Sequence, residues 1–270
     1  MQNRILIPVL SVPLAILLIV TSTVGIFTPG FYDTETLNWQ AQAFGQDLVD
    51  LFLIMPCLVL TSLFAARNNR TALMLWGGVM IYLTYTFVIY CFNIHFNRLF
   101  ILYCAELGLS FYGSVLFVFA CWKDQKRTIG ESNGIFKMTG IYFLIIASIF
   151  YMLWLSEILP AVLKNVTPPI LVEAGLFTNP VHVLDLSVVL PGIFTTGILI
   201  LRKNSFGLTI APAVLMFFIL MDLTIGFLVM LMYSRGLEAS LAVAAGMVVT
   251  GILSTILLVL FLKKNISDFR

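Results

Sequence analysis

The chain has 270 residues, of which 60% are hydrophobic and 10% are charged, and its formal net charge is +2. Soluble domains carry about 25% charged residues, so this composition excludes a soluble globular protein and predicts an all-α, multi-pass membrane protein. The net charge argues neither for nor against nucleic-acid binding, but no basic cluster with interleaved exposed aromatic residues is present, which excludes a nucleic-acid-binding protein.

Eight apolar segments are long enough to cross a bilayer, which takes about 20 residues of helix. By residue number they are 5–27, 47–66, 72–92, 99–122, 135–155, 181–201, 206–232 and 239–262. The first segment could be a secretory signal, because a short basic start precedes it. The apolar core of such a signal usually has about 7–15 residues, and this segment is longer, so we expect it to remain in the mature protein as a membrane-spanning helix.

The basic residues are distributed unequally between the two ends of these helices. Twelve of the 15 Lys and Arg residues fall on the side of both termini, and only Arg98, Lys164 and Arg235 fall on the other. Because positively charged connections usually face the cytoplasm, the sequence predicts that both termini are cytoplasmic.

One sequence phrase occurs twice, as Asp50-Leu51-x4-Pro56-x10-Arg67-x-Asn69 and as Asp185-Leu186-x4-Pro191-x10-Arg202-x-Asn204. The copies are 135 residues apart, which is half of the 270-residue chain. This period predicts two four-helix repeats, residues 1–122 and 135–270, joined by a cytoplasmic linker at 123–134. An even number of helices preserves orientation, so we expect the two repeats to be parallel.

Ionisable side chains within the spans are candidate site residues, because they are costly at membrane depth and usually functional. Asp50 and Asp185 are predicted to lie about one turn below the outer surface, at the starts of the second and sixth helices. His182 precedes Asp185 by three residues, which places both on one helical face. We therefore predict an outward-facing acidic cavity lined by Asp47, Asp50, Glu106, His182, Asp185, Asp222, Tyr85 and Tyr103.

Several features of this cavity allow two interpretations. The polar stripes that contain Tyr85 and Tyr103 could line the cavity or simply join helices by hydrogen bonds. Pro56 and Pro191 could each free a backbone carbonyl for a cation or proton site, or only kink the helix. The long outer connections at 28–46 and 160–180 could be lids or could lie on the bilayer surface.

Three functions are compatible with the sequence. The preferred one is binding or transport of a small solute or cation, with Asp50 and Asp185 equivalent across the interface of the repeats. The second is an enzyme embedded in the membrane at the outer leaflet, since the spacing of His182 and Asp185 can bind a metal. One histidine with carboxylates is a weak ligand set, however, and no catalytic motif accompanies it. The third is a non-catalytic subunit or sensor. We expect no cofactor and no bound metal.

Two further sequence features concern packing. The cysteines are predicted to be small buried residues rather than disulfides or metal ligands: Cys57, Cys91, Cys104 and Cys121. The small residues Ala242, Gly246 and Thr250 recur every four positions on the last helix. Such a stripe favours close packing, within the chain or in a homodimer.

Three short motifs stand in the first half: Gly45-Gln46-Asp47-Leu48 with Pro56, Tyr82-x2-Tyr85, and Phe96-Asn97-x-Leu99-Phe100. In these motifs the chain resembles a group of uncharacterised prokaryotic polytopic integral membrane proteins. The resemblance covers mainly the first half of the chain. It implies a bacterial or archaeal inner (plasma) membrane, and it implies no activity.

Overall fold

A computed structural model describes residues 2–123 and 134–267, and every regular element in these ranges is helical. Eight of the helices are long and apolar enough to cross a bilayer, which confirms the predicted number of spans and indicates a multi-pass membrane protein. The helices are α1 Gln2–Phe27, α2 Leu37–Ala66, α3 Arg70–Asn93, α4 Phe100–Lys123, α5 Gly134–Lys164, α6 Pro180–Leu201, α7 Ser205–Ser234 and α8 Leu241–Ser267. A short helix, Pro169–Ala174, lies between α5 and α6.

The outer end of α2 differs from the prediction. The helix begins at Leu37, ten residues before the predicted start, because Thr36 caps it by accepting a hydrogen bond from the Trp39 N–H. Asp50 therefore follows 13 helical residues, about 20 Å along the axis, and its predicted position near the start of the helix is wrong. The predicted outer connection shrinks to residues 28–36, which we call the outer cap.

The connection between α5 and α6 is also shorter than predicted. α5 continues to Lys164, nine residues beyond its predicted end, and the short helix follows after four residues. α6 begins at Pro180, one residue before the predicted start, and Asp185 follows its first five residues. The depth predicted for Asp185, about one turn into its helix, agrees with this start.

The turns after α2 and α6 have the same backbone. Asn68 and Lys203, which are 135 residues apart, both have positive φ angles, of 62° and 57°. The next residue in each copy, Asn69 or Asn204, caps the following helix by accepting hydrogen bonds from its first N–H groups. A left-handed residue followed by an asparagine cap ends one helix and starts the next within three residues.

A π-helical segment begins at each repeated aspartate. Residues Asp50–Ile54 and Asp185–Val189 have this wider turn, in which the N–H five residues after the aspartate donates to its carbonyl oxygen. Pro56 or Pro191 follows near the start of the next α-helical segment. Single π turns inside α-helices are uncommon and are frequent at functional sites.

The helices have corresponding neighbours in the two halves. α1 packs against α2 and α4, and α3 against α2 and α4; in the second half α5 packs against α6 and α8, and α7 against α6 and α8. The halves meet where α3 packs along α7. Gly78 allows this approach, because a Cβ atom there would lie 2.6 Å from the carbonyl oxygen of Ala213. We call this contact the central seam.

The organisation into two parallel repeats and the cytoplasmic position of both termini remain predictions. Residues 124–133, which make up nearly all of the predicted linker, lie outside the described residues. The cysteines of the described residues are thiols rather than disulfides. Cys121 is buried and Cys57 and Cys91 are half-buried, but Cys104 is exposed, so the prediction of burial is wrong for Cys104.

Candidate functional site

Asp47 is the centre of a buried polar cluster in the first half. Its Oδ2 accepts a hydrogen bond from the Tyr32 hydroxyl at 2.6 Å, and its Oδ1 accepts one from the Tyr90 hydroxyl at 2.9 Å. The Asp47 residue is 2% exposed. Gly25 of α1 makes room for the carboxylate, because a Cβ atom there would lie 1.8 Å from Oδ2. Three segments of the chain therefore enclose one carboxylate.

Glu106 is the second acid of this cluster and is fully buried. Its Oε1 accepts a hydrogen bond from the Thr21 hydroxyl at 2.8 Å, whereas its Oε2 has no hydrogen-bond partner. Tyr103 lies one turn earlier on α4, with its ring 5.0 Å from that of Tyr90, and its buried hydroxyl also lacks a partner. Buried polar atoms without partners are rare in proteins and often mark an internal water or an ion.

Asp50 continues the cluster towards the central seam. Its Oδ1 accepts a hydrogen bond from the Gln46 side-chain amide at 3.0 Å. The same amide donates to the Tyr82 hydroxyl at 2.9 Å, and the hydroxyls of Tyr82 and Thr224 lie 2.8 Å apart. Because Thr224 belongs to α7, this chain of contacts joins an acid of the first half to a helix of the second. We call the whole group the tyrosine–acid cluster: Thr21, Tyr32, Gln46, Asp47, Asp50, Tyr82, Tyr90, Tyr103 and Glu106.

The helices that form this cluster contain no basic residue at its depth. The sequence has no Lys or Arg between residues 5 and 66, between 71 and 97, or between 99 and 122. The partners that Asp47, Asp50 and Glu106 have in the structure are hydroxyl groups and one amide. Three acids thus share one four-helix bundle without a counter-ion from these helices.

The outer cap covers one end of the cluster. Glu35 of the cap accepts a hydrogen bond from the backbone N–H of His95 at 2.7 Å, and its other oxygen lies 2.9 Å from the His95 Nδ1. The Arg98 guanidinium donates to the Thr28 hydroxyl at 3.3 Å, at the start of the cap. Between these two attachments Tyr32 reaches Asp47. Burial, and next the Asp47 carboxylate, raise the pKa of the Tyr32 phenol well above its usual range, so it acts as a donor.

A second polar group surrounds the repeated aspartate of the second half. The Trp154 indole N–H donates to the Asp185 Oδ2 at 2.8 Å, and Tyr85 of α3 also interacts with this carboxylate. The His182 ring lies 4.6 Å from the Trp154 ring, and its Nε2 is 3.9 Å from the Glu157 carboxylate. Trp154 therefore contacts both residues that the sequence predicted to share one helical face.

Asp222 lies apart from these two groups, between α7 and α8. Its Oδ1 accepts a hydrogen bond from the Thr250 hydroxyl at 2.8 Å, and its Oδ2 has no partner. Part of the small-residue stripe of α8 therefore packs within the chain. Ser254, four residues after Thr250, is also buried, and its hydroxyl lies 2.8 Å from that of Tyr142. Gly246 on the same stripe faces open space.

The structure groups the predicted residues in three places. Asp47, Asp50, Glu106 and Tyr103 belong to the tyrosine–acid cluster. His182, Asp185 and Tyr85 meet around Trp154, and Asp222 stands alone. In place of an open acidic cavity, the acids of the first half form a closed cluster, since Asp47, Asp50 and Glu106 are each at most 2% exposed.

Two cavities that the sequence did not predict lie at the ends of α5 and α3 that are expected to face outwards. One, of about 720 Å³, lies between the outer end of α5 and residues 165–187 and includes His182 in its lining. The other, of about 450 Å³, lies between the outer end of α3 and residues 175–184. Among the side chains that the structure describes, no acid lines either cavity.

Several residues of these groups are not predicted as site residues by the sequence. Tyr32 was assigned to an outer loop, and Glu157 fell beyond the predicted end of its span. Tyr90 and Thr21 are polar residues in apolar helices that contain several others, and no sequence signal singles them out. Within the described ranges, no group of three or more His, Cys, Asp and Glu side chains is placed to hold a metal ion.

Comparisons of the chain with protein-family models, with curated proteins and with solved structures gave no match.

Proposed function

We propose that this protein binds a small cation at the tyrosine–acid cluster and transports it, alone or with a solute, across the membrane. The observation that carries this proposal is the group of three buried acids on helices that have no Lys or Arg at that depth. Burial of an ionised carboxylate without a counter-ion costs roughly several kcal/mol, so a cation bound beside these acids is strongly favoured. Acids inside spans typically mark ion or proton pathways.

The outer cap supports a transport cycle in which access changes. Tyr32 covers Asp47 from the outside, and Glu35 holds the cap to the turn that follows α3. A cation could reach the cluster from outside only after these contacts separate. Closed and open states of such a segment are the usual way in which a carrier or enzyme controls access to a buried site.

The proposal includes two parallel four-helix halves related across the central seam, with both termini in the cytoplasm of a prokaryotic inner membrane. The matching helix neighbours, the matching π-helical segments and the Gly78–Ala213 contact support it. In this arrangement Asp50 and Asp185 occupy equivalent positions on the two sides of α3, where each connects to a tyrosine. Movement of one half against the other would change both sites together.

Transport is tested with the purified protein in proteoliposomes. The probes are radiolabelled sodium, rubidium and methylammonium, and proton uptake is followed with an internal pH-sensitive dye. We expect uptake of at least one ion, and its loss in the Asp47→Asn/Glu106→Gln double variant. Asp33→Asn is the matched control, because it removes the same charge from an exposed position in the outer cap. Full uptake by the double variant would contradict the proposal, and full uptake by Asp50→Asn/Asp185→Asn would contradict the equivalence of the halves.

A second candidate function is an enzyme that acts at the outer leaflet. The observation in its favour is the 720 Å³ cavity, because His182 lines it and Glu157 lies 3.9 Å from the imidazole. A histidine beside a carboxylate can exchange protons with a bound substrate. This reading predicts that His182→Ala leaves ion uptake unchanged and removes turnover of an outer-leaflet lipid; an unchanged lipid composition in cells that overproduce the protein would exclude it.

A further inference from the structure

We infer that the ion held in the tyrosine–acid cluster is a proton, and that it resides on Glu106. This inference rests on the proposed function, because it names the cation for the same site. Three observations support it. They are the number of oxygen atoms free to bind a ligand, the small space around Asp47, and the chemistry of the buried polar atoms that have no hydrogen-bond partner.

The first observation is the number of oxygen atoms. Metal ions such as Ca²⁺ and Mg²⁺ take about six or more oxygen ligands. Both carboxylate oxygens of Asp47 already accept tyrosine hydroxyls, and Glu106 Oε1 accepts the Thr21 hydroxyl. Each of these donors points a hydrogen atom at the carboxylate, so a metal ion would have to displace it. The fully buried cluster oxygens without a hydrogen-bond partner are Glu106 Oε2 and the Tyr103 hydroxyl, and two oxygens alone are too few for a metal.

The second observation is the lack of space beside Asp47. The backbone of Gly25 packs so closely that even a methyl group there would lie 1.8 Å from Oδ2 and 2.8 Å from the Tyr32 oxygen. A metal ion with its ligand shell needs far more room than this. A proton needs none, since it adds only one O–H bond to an existing oxygen.

The third observation is the chemistry of the unpartnered atoms. Glu106 and Tyr103 are three residues apart on α4, so their side chains lie on one face of the helix. Both are buried, at 0% and 1% exposure, and the Tyr103 side chain also interacts with Tyr32 and Asp47. An ionised Glu106 has no hydrogen to donate, whereas a protonated Glu106 turns Oε2 into a donor. One proton also removes the charge of a fully buried carboxyl group that has no counter-ion, and a neutral carboxyl is far less costly to bury than an ionised one.

The charged and titratable groups around the cluster come from five segments. α2 contributes Asp47 and Asp50, α3 contributes Tyr82 and Tyr90, α4 contributes Tyr103 and Glu106, and the outer cap contributes Tyr32. The fifth segment, α7, contributes Arg235. Its guanidinium lies 4.5 Å from the ring of Phe44, which is one helical turn before Asp47 on α2. Two hydroxyls donate to Asp47 and favour its charged form more than the single hydroxyl donor of Glu106 does. Glu106, with one hydroxyl donor, is the acid that takes the proton.

The test is infrared spectroscopy of the full-length protein in lipid nanodiscs at neutral pH. A protonated carboxyl group has a C=O stretching band that ionised carboxylates lack. We expect this band in the wild type, a decrease by one carboxyl group in Glu106→Gln, and no decrease in Asp47→Asn or in the exposed control Asp33→Asn. A band of equal intensity in wild type and Glu106→Gln would overturn the inference.

Thermal unfolding gives a second readout. The glutamine of Glu106→Gln supplies an N–H donor where the protonated acid has its O–H, so we expect its Tm to equal or exceed that of the wild type. We also expect the wild-type Tm to be the same in sodium, potassium, calcium and choline salts of equal ionic strength. A Tm increase with one metal ion that disappears in Glu106→Gln would overturn the inference in favour of that metal.

The two proposals fail separately in these experiments. If proteoliposomes take up no ion but the Glu106 carboxyl band is present, transport is wrong and the proton on Glu106 stands. If an ion other than the proton is taken up and the band is absent, transport stands and the proton inference is wrong.

Discussion

Gly78 of α3 packs against Ala213 of α7, the residue that lies 135 positions further along the chain. A Cβ atom at Gly78 would be 2.6 Å from the Ala213 carbonyl oxygen and equally close to the Met216 side chain. Two positions separated by the 135-residue offset of the doubled phrase are thus in direct contact at the central seam. Such a contact is what the proposed pair of related halves predicts close to the axis between them.

The central seam should be sensitive to added volume at this glycine. Gly78→Ala introduces a clash with backbone that cannot move aside, and overpacking of this kind costs about 1–3 kcal/mol. We expect a lower Tm for the detergent-solubilised protein and a larger decrease for Gly78→Leu. Gly108→Ala on α4 is the control, because a Cβ atom there meets nothing within 4 Å. Equal Tm values for the two alanine variants would show that the seam is not tightly packed.

The hydroxyl of Tyr32 should stabilise the closed cluster. Tyr32→Phe keeps the ring but removes the donor to Asp47, which leaves one buried carboxylate oxygen unsatisfied at a cost of about 1–3 kcal/mol. We expect a lower Tm and altered ion uptake in proteoliposomes. Tyr112→Phe removes the hydroxyl of an exposed tyrosine on α4 and should change neither property. An unchanged Tyr32→Phe protein would mean that the cap does not hold Asp47.

Glu35 should hold the outer cap in place. Glu35→Ala removes both acceptors of His95, so residues 28–36 should open locally more often. A loss of about 1.4 kcal/mol corresponds to an increase of about tenfold in the open population. Hydrogen–deuterium exchange of peptides from the cap measures this increase directly. Asp33→Ala, which changes an exposed acid of the same cap, should leave the exchange as in the wild type.

The orientation predicted from the basic residues can be measured by cysteine labelling. In a background with the four native cysteines replaced by serine, Asp33→Cys should react with a membrane-impermeant maleimide in intact cells. Arg202→Cys, in the turn after α6, should react only after the membrane is permeabilised. The reverse pattern would place both termini outside and would exchange the two ends of every helix.

The sequence predicted the spans well because hydropathy is a local property that twenty residues carry by themselves. It failed at the outer end of α2, where the polar residues Asn38, Gln40 and Gln42 look like a loop but form an N-terminal helical extension. The acids were also predictable, since any charge in an apolar segment is conspicuous. Their partners were not: Tyr32, Tyr90 and Thr21 meet Asp47 or Glu106 only through packing between helices.

The division of the acids into separate groups could likewise not be predicted from the sequence. Helical periodicity tells which residues share a face, as for His182 and Asp185, but not which neighbour that face meets. Trp154 and Tyr85 reach Asp185 from two different helices, and Asp222 turns to α8 instead. The eight apolar helices have similar compositions. Which of them pack together depends on how their side chains fit, and the sequence of a single helix does not reveal this.

The π-helical segment at Asp50 has a consequence for how this helix can change in length. Each residue of an α-helix turns the chain by about 100°, so the extra residue of a wide turn rotates everything after it by about that angle. Removal of one residue from Asp50–Ile54 would restore a regular α-helix, but it would swing Leu58, which is fully buried, away from its present neighbours. An insertion or deletion in this segment would therefore change which side chains face the neighbouring helices along the rest of α2, as far as Ala66.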